Sequence, residues 1–474
     1  MIVFIIVKKT QKFKSPRPFS AQLFRLFGKI SSDFFRISKS WFFSLDFRKS
    51  SPKMKERFRR PANAKKHRKR PGMAAASLPV SLSPPKDLLM KNFILIPDSF
   101  KGTLSSREIC SIMAKTIRRF VPGARIQSIP VADGGEGTVE AFLTALHGKR
   151  VDVQVTGPDF RKIDAFYGVL PDQTAVVEMA ACAGLPLVYG HKNPELTTTF
   201  GVGELFLHAA RNGCRKIIVG LGGSCTNDAG AGAAAACGIR FLNAAGEAFV
   251  PTGGTLAGIE RIDASGLDPV LNSVEIVTMC DINNSFCGPT GAAFVFAPQK
   301  GADDAMVLRL DAGLRHCGEI IQRDLGTRMR KLTGVSDLFT LPGAGAAGGM
   351  GGGMTAFFGS RLQMGIEAVL DTVQFDALLQ NADLVFTGEG KIDSQSLRGK
   401  VVLGVAGRTR KAGVPLIAVV GDVGDHIEEA YGRGVSAIFS INQVAISVSA
   451  ARRRARKDLA FEMENLMRLL MIKK

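Results

Sequence analysis

Acidic, hydroxyl and glycine residues recur together at the ends of apolar runs in this 474-residue chain. The first run, 93–99, contains Asp98, and Lys101 follows within the same turn. Asp98 can act on a metal or a substrate, and Lys101 can neutralise the charge of a phosphate or carboxylate. The same residue types occur at ordinary helix N-caps and turns, so this motif alone leaves both interpretations open.

A second segment, 131–138, places Asp133 and Glu136 among three glycines. Two carboxylates beside so flexible a backbone suit Mg²⁺ binding or base catalysis, whereas a purely structural turn seldom needs both. Asp281 follows another apolar strand in the same way. We predict Asp133, Glu136 and Asp281 as metal ligands, with Asp133 also a catalytic candidate.

A third segment follows the predicted strand 216–221. Its glycine N–H groups, its hydroxyls and the helix that comes next suit a bound phosphate or carboxylate. A close strand–helix crossing would also need small residues, but it would not need Asn227 and Asp228. We predict Asp228 as catalytic and predict the following residues as cofactor-binding: Gly222, Gly223, Ser224, Thr226 and Asn227.

The fourth segment, 343–353, has seven glycines in eleven positions. Each glycine costs about 1 kcal/mol relative to alanine if helical, so something should compensate, and a bound polyphosphate would do so. We therefore add Gly343, Gly345, Gly348 and Gly349 to the cofactor-binding set. The segment is not a P-loop, and no protein-kinase motif set occurs.

A fifth segment supplies Glu389 directly after an apolar strand, and we predict Asp98, Lys101 and Glu389 as further catalytic residues. No histidine lies in these five loops and no G-x-S-x-G elbow occurs, which disfavours acyl transfer by a triad. No G-x-G-x-x-G motif supports hydride transfer. Backbone amides, a lysine and several carboxylates are what phosphoryl transfer from ATP with Mg²⁺ requires. Which carboxylate binds the metal and which accepts the hydroxyl proton stays open.

Alternating apolar strands and helices must position these loops. Besides 93–99, strands are predicted at 125–131, 151–155, 174–179, 216–221, 275–280, 384–387, 415–420 and 436–441. Helices are predicted near 105–120, 138–147, 202–212, 303–324, 400–411 and 450–470, and Ser105 with Glu108 three residues later predicts a capping box at the start of the first. This alternation indicates an α/β protein with a largely parallel sheet, whose ligands lie beyond the carboxyl ends of the strands. In the last helix, an apolar stripe through Leu459, Met463, Leu466 and Leu470 is expected to pack on the body.

The net charge of +20 is concentrated at the N-terminus. Residues 1–89 hold 22 of the 62 lysines and arginines but only 4 of the 42 acidic residues, which leaves 40 basic against 38 acidic residues. A near-neutral body is not expected to bind nucleic acid. Residues 1–89 are interpreted as a transit peptide, a basic nucleic-acid or membrane arm, or upstream sequence from a mis-chosen start codon. Met90, directly before the first strand, favours the last.

The eight cysteines show neither a C-x-x-C pair nor zinc-site spacing, which favours a reducing cytoplasmic location. No apolar run approaches the roughly 18 residues of a membrane span, so no membrane partner is expected.

Six motifs, in order, resemble those of the type-1 glycerate kinases of bacteria: PDSFKGTLSS, VADGGEGTVEAFL, GLGGSCTNDAGAG, CDINN with FAPQKGA, PGAGAAGGMGGG and TGEGKIDSQSLRGK. The resemblance extends from about Met90 to the C-terminus. It implies ATP-dependent phosphorylation of D-glycerate in the cytoplasm, commonly at the 2-hydroxyl. The family commonly has alanine at Cys225 and glycine at Ala229, and both differences keep the residue small.

The resemblance also implies two α/β domains with the active site in the cleft between them. Residues 90–165 and 376–474 would form a flavodoxin-like parallel-sheet domain, and residues 166–375 an inserted domain with a mixed sheet resembling a restriction endonuclease. A non-catalytic protein that binds small acids or nucleotides is the alternative. The residues do not determine the oligomeric state, and a homo-oligomer is one of the open alternatives.

Overall fold

The computed structural model of the protein describes residues 90–132, 134–393 and 400–472. The predicted site residue Asp133 and the basic segment 1–89 lie outside the described residues, so the interpretations of that segment stay predictions. In chain order, the strands are β1 Asn92–Pro97, β2 Arg125–Ser128, β3 Lys149–Thr156, β4 Lys162–Val169, β5 Thr174–Glu178, β6 Lys216–Gly220, β7 Arg240–Leu242, β8 Ala248–Phe249, β9 Arg261–Asp263, β10 Glu275–Met279, β11 Arg361–Gln363, β12 Leu384–Gly388, β13 Leu416–Val420 and β14 Ala437–Ser440.

The described helices alternate with these strands. They are α1 Ser106–Phe120, α2 Thr138–Leu146, α3 Ala180–Ala183, α4 Phe200–Arg211, α5 Ala231–Ala236, α6 Ala292–Phe296, α7 Asp304–Thr333, α8 Ala346–Phe358, α9 Gly365–Thr372, α10 Phe375–Leu379, α11 Val401–Ala412, α12 Glu429–Gly432 and α13 Val448–Leu470. Every predicted strand and helix is present. The sequence analysis missed β4, the short strands β7 to β9, β11 and several helices.

The first sheet has five parallel strands in the order β14-β13-β12-β1-β2. In β1, Ile94 and Ile96 pack into one buried cluster while Phe93 and Leu95 pack into another on the opposite face. Successive side chains of a strand point to opposite faces, so the continuous apolar run is explained by burial on both sides.

The second sheet has six strands in the order β11-β10-β6-β5-β4-β3. Its first four strands, β11, β10, β6 and β5, are parallel to one another. The strand β4 is antiparallel to both of its neighbours, β5 and β3. A third, antiparallel sheet of β8, β7 and β9 is small. The chain is thus a mixed α/β protein with a parallel sheet and a mixed sheet.

The strand positions can be compared with the predicted domain limits, although they do not test the domains themselves. Strands from both ends of the described chain form the first sheet, and those between form the second and third. Residue 165 lies inside β4, and β3 already pairs with β4 along its full length. The second sheet therefore begins at residue 149, and the domain assignment stays a prediction.

The helix α13 packs against α1 on the first sheet. Leu459 and Met463 are fully buried and Leu466 is 2% exposed, in one cluster with Ile109 and Met113. This confirms the predicted stripe. The first turn of α1 is closed by the predicted capping box, because the amide of Glu108 donates to Ser105 Oγ at 3.3 Å while Glu108 accepts from the Ser105 amide.

We expect Leu466→Ala to lower the free energy of unfolding by about 2–5 kcal/mol, because it removes a buried side chain and leaves a cavity. Leu469→Ala is the matched control on the same helix, since Leu469 is 55% exposed, and its effect should be a small fraction of that. Urea denaturation of both variants provides the measurement. Equal losses would show that α13 does not pack as described.

Candidate active site

The carboxyl edge of the first sheet carries two predicted catalytic carboxylates. Asp98 follows β1 and Glu389 follows β12, and these strands are parallel neighbours. The backbone N–H of Asp98 donates to the carbonyl of Gly388 at 2.8 Å, which fixes the two strand ends together. In the strand order, β1 and β12 are where the connections diverge to opposite sides of the sheet, and ligands of open α/β sheets bind at such a point.

A cleft of about 730 Å³ opens at this edge. Asp98, Lys101 and Glu389 line it from the first sheet, and Asp281 lines it from the end of β10 in the second. Oδ1 of Asp281 accepts a hydrogen bond from the backbone N–H of Gly365 at 2.7 Å, at the start of α9. The structure therefore brings four of the predicted residues together from both sheets.

The walls of this cleft combine apolar and charged side chains. Its cations are Lys101, Lys391, Lys400 and Arg452, and its apolar residues include Phe100, Ile366, Val401, Ile441, Ile446 and Val448. An apolar wall beside several cations suits a ligand that has a flat apolar group and several negative charges. Sequence reasoning missed Lys400 and Arg452. Arg452 is exposed on α13 and also lines the cleft.

The 131–138 loop lies between the cleft and the second sheet. Ala132 lines the cleft, the carbonyl of Gly134 accepts from the N–H of Gly222 at 2.9 Å, and the Glu136 side chain is exposed. The buried Glu178, at the end of β5, accepts from the backbone N–H groups at the start of α2, with Val139 at 3.1 Å. Burial raises the pKa of Glu178. Its carboxylate thus occupies the start of α2, a position that no sequence pattern predicted.

Asp228 is completely buried and ties two helix starts together. Its Oδ2 accepts from the N–H and hydroxyl of Thr199 at 2.7 and 2.8 Å and from the N–H of Gly232 at 3.2 Å, and its Oδ1 accepts from Gly230 at 3.2 Å. Burial raises the pKa of Asp228, and these hydrogen bonds oppose that shift. This geometry fits a residue that positions the 222–228 loop, and the predicted catalytic role of Asp228 stays untested.

The 222–228 loop is held at its backbone from several sides. Leu185 donates to the carbonyl of Gly223 at 2.8 Å, and Cys225 donates to Ala183 at 3.0 Å. The hydroxyl of Thr197 donates to the Cys225 carbonyl at 3.0 Å. Burial raises the pKa of the Cys225 thiol to about 12, which makes it an inert, packed side chain.

Two buried side chains of this loop have polar atoms without hydrogen-bond partners. Thr226 and Asn227 are both fully buried, yet Thr226 Oγ1 and both amide atoms of Asn227 have no hydrogen-bond partner within the described structure. Buried polar groups in native proteins are almost always bonded, and an unsatisfied one costs about 1–3 kcal/mol. Both residues belong to the predicted cofactor-binding set.

A buried lysine lies beneath the same loop. Lys300, 2% exposed, donates from Nζ to Ser224 Oγ at 2.9 Å and to the carbonyl of Thr226 at 2.5 Å. Burial lowers its pKa to about 8, although Cys225 and Asp228 act in the opposite direction. The sequence placed Lys300 in a family-like motif, but its 74-residue separation from Thr226 gave no sign of the contact.

The glycine-rich segment 343–353 is buried and largely helical, not an open loop. Residues 346–358 form α8, interrupted by left-handed φ angles at 347–349. A Cβ atom at Gly348 would overlap the carbonyl oxygen of Thr226, and one at Gly353 would overlap that of Ala229. Backbone contact with Thr226 and Ala229 thus accounts for Gly348 and Gly353 without a polyphosphate, and the predicted ligand role of the segment stays untested.

The carboxylates of the site fit a metal ion that is shared with a bound substrate. Among residues 90–132, 134–393 and 400–472, no group of three or more His, Cys, Asp or Glu side chains is placed to hold a metal ion. Mg²⁺ in phosphoryl-transfer sites is usually held by one or two carboxylates together with substrate phosphates, so the cleft carboxylates fit that ion. None of the helices in the described ranges is long and apolar enough to cross a membrane.

A parallel and a mixed sheet, with a charged cleft at their carboxyl ends, define an α/β protein of the kind that binds nucleotides and other phosphorylated ligands. The sequence profile described as "Glycerate kinase family" matches residues 93–471. The chain belongs to the glycerate kinase family, which confirms the resemblance of its six motifs.

Named relatives are similar to this chain over most of their own length. The chain is 41% identical to a glycerate kinase of Bacillus cereus over 79% of this chain and 96% of that protein. It is 41% identical to glycerate 2-kinase of Escherichia coli K12 over 80% and 98%. A crystal structure whose protein is assigned as glycerate kinase 2 of Salmonella typhimurium LT2 superposes with a TM-score of 0.70 at 40% identity, covering 80% of this chain and 98% of that chain.

We expect the stability of the protein to depend on Lys300 at alkaline pH. Its amine has a pKa of about 8 in the folded protein against 10.5 as its ordinary value, so between these pH values the unfolded chain binds more protons. The free energy of unfolding should therefore rise with pH across this window. Below pH 8 the lysine is charged in both states, and the full cost of burying its charge lowers the stability. Urea denaturation of wild type and Lys300→Met from pH 7 to 10 measures the difference. Parallel pH profiles would contradict the assignment.

Proposed function

We propose that the protein is a kinase that transfers the γ-phosphoryl group of ATP to the 2-hydroxyl of D-glycerate, giving 2-phosphoglycerate, with Mg²⁺ as the metal. Membership of the glycerate kinase family supports the reaction, and the relative named glycerate 2-kinase supports the 2-hydroxyl. The observation that carries the proposal is the cleft in which Asp98, Lys101, Asp281 and Glu389 meet.

In this mechanism the cleft residues bind, orient and exchange a proton. Lys101, with Lys391 and Lys400 beside it, neutralises the charge of the phosphates, and the apolar wall receives the adenine. Asp98 or Glu389 accepts the proton of the attacking hydroxyl. Both carboxylates line the cleft at the end of adjacent parallel strands.

Asp281 would hold the Mg²⁺ ion from the cleft. Asp133 and Glu136 stay proposed as further ligands on the sequence pattern alone, since Asp133 lies outside the described residues and Glu136 is exposed. When bound, the ion would neutralise phosphate charge and orient the phosphoryl group for in-line transfer. Asp228 has a positioning role in this scheme, because its two carboxylate oxygens accept from three residues of two helix starts.

We also propose the domain assignment that the resemblance implied. The first sheet, renumbered within its own residues, has the strand order 2-1-3-4-5, which supports a flavodoxin-like domain. The mixed second sheet supports an inserted domain that resembles a restriction endonuclease, with its first strand at residue 149. Eight free, buried cysteines support a reducing, cytoplasmic setting for the enzyme.

We expect the product of D-glycerate and ATP to be 2-phosphoglycerate. Phosphorus and proton NMR of the purified product distinguish the two phosphoglycerates directly, because the phosphate couples to the single C2 proton in one and to the two C3 protons in the other. A 3-phosphoglycerate product would contradict the proposed regiochemistry. Failure to consume ATP in the presence of glycerate would favour the non-catalytic alternative.

We expect Lys101→Met to lower kcat/KM by about 100-fold or more, because the cleft loses a cation that stabilises transferring negative charge. Lys115→Met is the matched control, since Lys115 is an exposed residue of α1 outside the cleft. A coupled assay for ADP, with circular dichroism to verify folding, provides the measurement. Activity of Lys101→Met within threefold of the control would remove Lys101 from the mechanism.

A further inference from the structure

The buried polar groups of the 222–228 loop point to a ligand with particular chemistry. Thr226 Oγ1 can donate or accept, and the side-chain amide of Asn227 has one donor end and one acceptor end, whichever way the amide is turned. All three atoms are buried without partners in the described structure. A ligand that satisfies them must both accept and donate hydrogen bonds.

Lys300 adds a positive charge at the same place. Its Nζ has three donor hydrogens, and the described contacts are with the Ser224 hydroxyl and the Thr226 carbonyl. No carboxylate in the described ranges forms an ion pair with it. A cation buried in this way is costly unless it is neutralised, so an anionic group brought against the loop is favoured.

The polarity of this region distinguishes the two substrates. A triphosphate only accepts hydrogen bonds at neutral pH, and the cleft of about 730 Å³ already combines an apolar wall with cations for a nucleotide. A hydroxy acid carries an anionic carboxylate that accepts and hydroxyls that donate. This matches the buried donor, acceptor and cation set of Thr226, Asn227 and Lys300 better than a polyphosphate does.

We infer that Thr226, Asn227 and Lys300 form the binding site for the hydroxy acid, with Lys300 as the residue that positions the loop and supplies its charge. The carboxylate lies against the Thr226 hydroxyl and the Asn227 amide N–H, and a substrate hydroxyl donates to the Asn227 carbonyl oxygen. This inference rests on the proposed function and assigns the loop to glycerate, whereas the sequence analysis had assigned it to the cofactor.

The two regions are neighbours, as transfer between them requires. The N–H of Gly222, at the start of the loop, donates to the carbonyl of Gly134 at 2.9 Å, and Gly134 lies two residues from the cleft residue Ala132. Gly223 is exposed and has a left-handed φ of 76°. Because Thr226 and Asn227 are fully buried, substrate admission requires the loop to separate from the segments packed against it.

Thr226→Val tests the inference, because valine keeps the shape of threonine and removes only the hydroxyl. Replacing an unsatisfied buried hydroxyl by a methyl group should leave the melting temperature of the ligand-free protein unchanged or raise it. The dissociation constant for D-glycerate should rise about 10- to 100-fold, the effect of losing one hydrogen bond to a charged group. Thr226→Ser keeps the hydroxyl and should bind glycerate within about threefold of wild type.

Calorimetric titration with D-glycerate is done with a non-hydrolysable ATP analogue and Mg²⁺ present, and a second titration uses the analogue with Mg²⁺ alone. Thr226→Val should weaken the binding of D-glycerate and leave the binding of the ATP analogue unchanged. Lys300→Met should also weaken glycerate binding, and it provides a second variant with an independent contact. A weakened analogue titration with unchanged glycerate binding would show that the loop binds the nucleotide, and would overturn the inference.

A lower melting temperature of Thr226→Val with unchanged glycerate affinity would also overturn it, because the hydroxyl would then have a purely structural role, such as bonding an ordered water. Wild-type turnover separates this failure from a failure of the proposed function. If wild type consumes ATP only in the presence of glycerate while Thr226→Val binds glycerate normally, the kinase assignment stands and only the loop assignment fails. If wild type neither binds nor phosphorylates glycerate, both fail.

Discussion

Backbone contact among three glycine-rich segments is the constraint on which the site depends. The carbonyl of Gly134 accepts from Gly222 at 2.9 Å, and a Cβ atom at Gly220 would overlap that same carbonyl. A Cβ atom at Gly348 would overlap the carbonyl of Thr226. Any side chain at these positions would push the loops apart, so the ends of two sheets and the start of α8 can meet only as bare backbone.

Buried charges then fix loops that glycine alone would leave mobile. Glu178 accepts from the start of α2, and Asp228 accepts from the starts of α4 and α5. Each carboxylate is buried, and the backbone N–H groups at a helix start offset the cost of burying it. Lys300 holds the carbonyl of Thr226 on the other side. The entropy that the glycines would lose on folding is thus offset by packing and hydrogen bonds, before any ligand binds.

Sequence patterns predicted the parts of this structure that depend on neighbouring residues. The continuous apolar runs, the capping box at Ser105 and the stripe of α13 are local signals, and all are confirmed. The strand β4 alternates polar and apolar residues and was missed, and the glycine count of α8 hid a helix because its stability comes from packing. Lys300 and Glu178 were missed because their partners are distant in sequence. Ala229 has a left-handed φ of 56°, which gives a physical reason for glycine at that position in the family.

The contrast between the two regions of the site explains how one enzyme would bind a large nucleotide and still select a small acid. The cations of the cleft are exposed, so each loses little when no ligand is present and contributes affinity for phosphate charge without strict geometry. The polar atoms of Thr226 and Asn227 are buried, so leaving them unsatisfied is costly. A site built to hydrogen-bond a substrate hydroxyl rejects analogues that lack it far more strongly than an apolar pocket rejects a missing methylene. In the proposed arrangement, selectivity for the hydroxy acid would therefore follow from burial at the loop, and nucleotide affinity would follow from charge in the cleft.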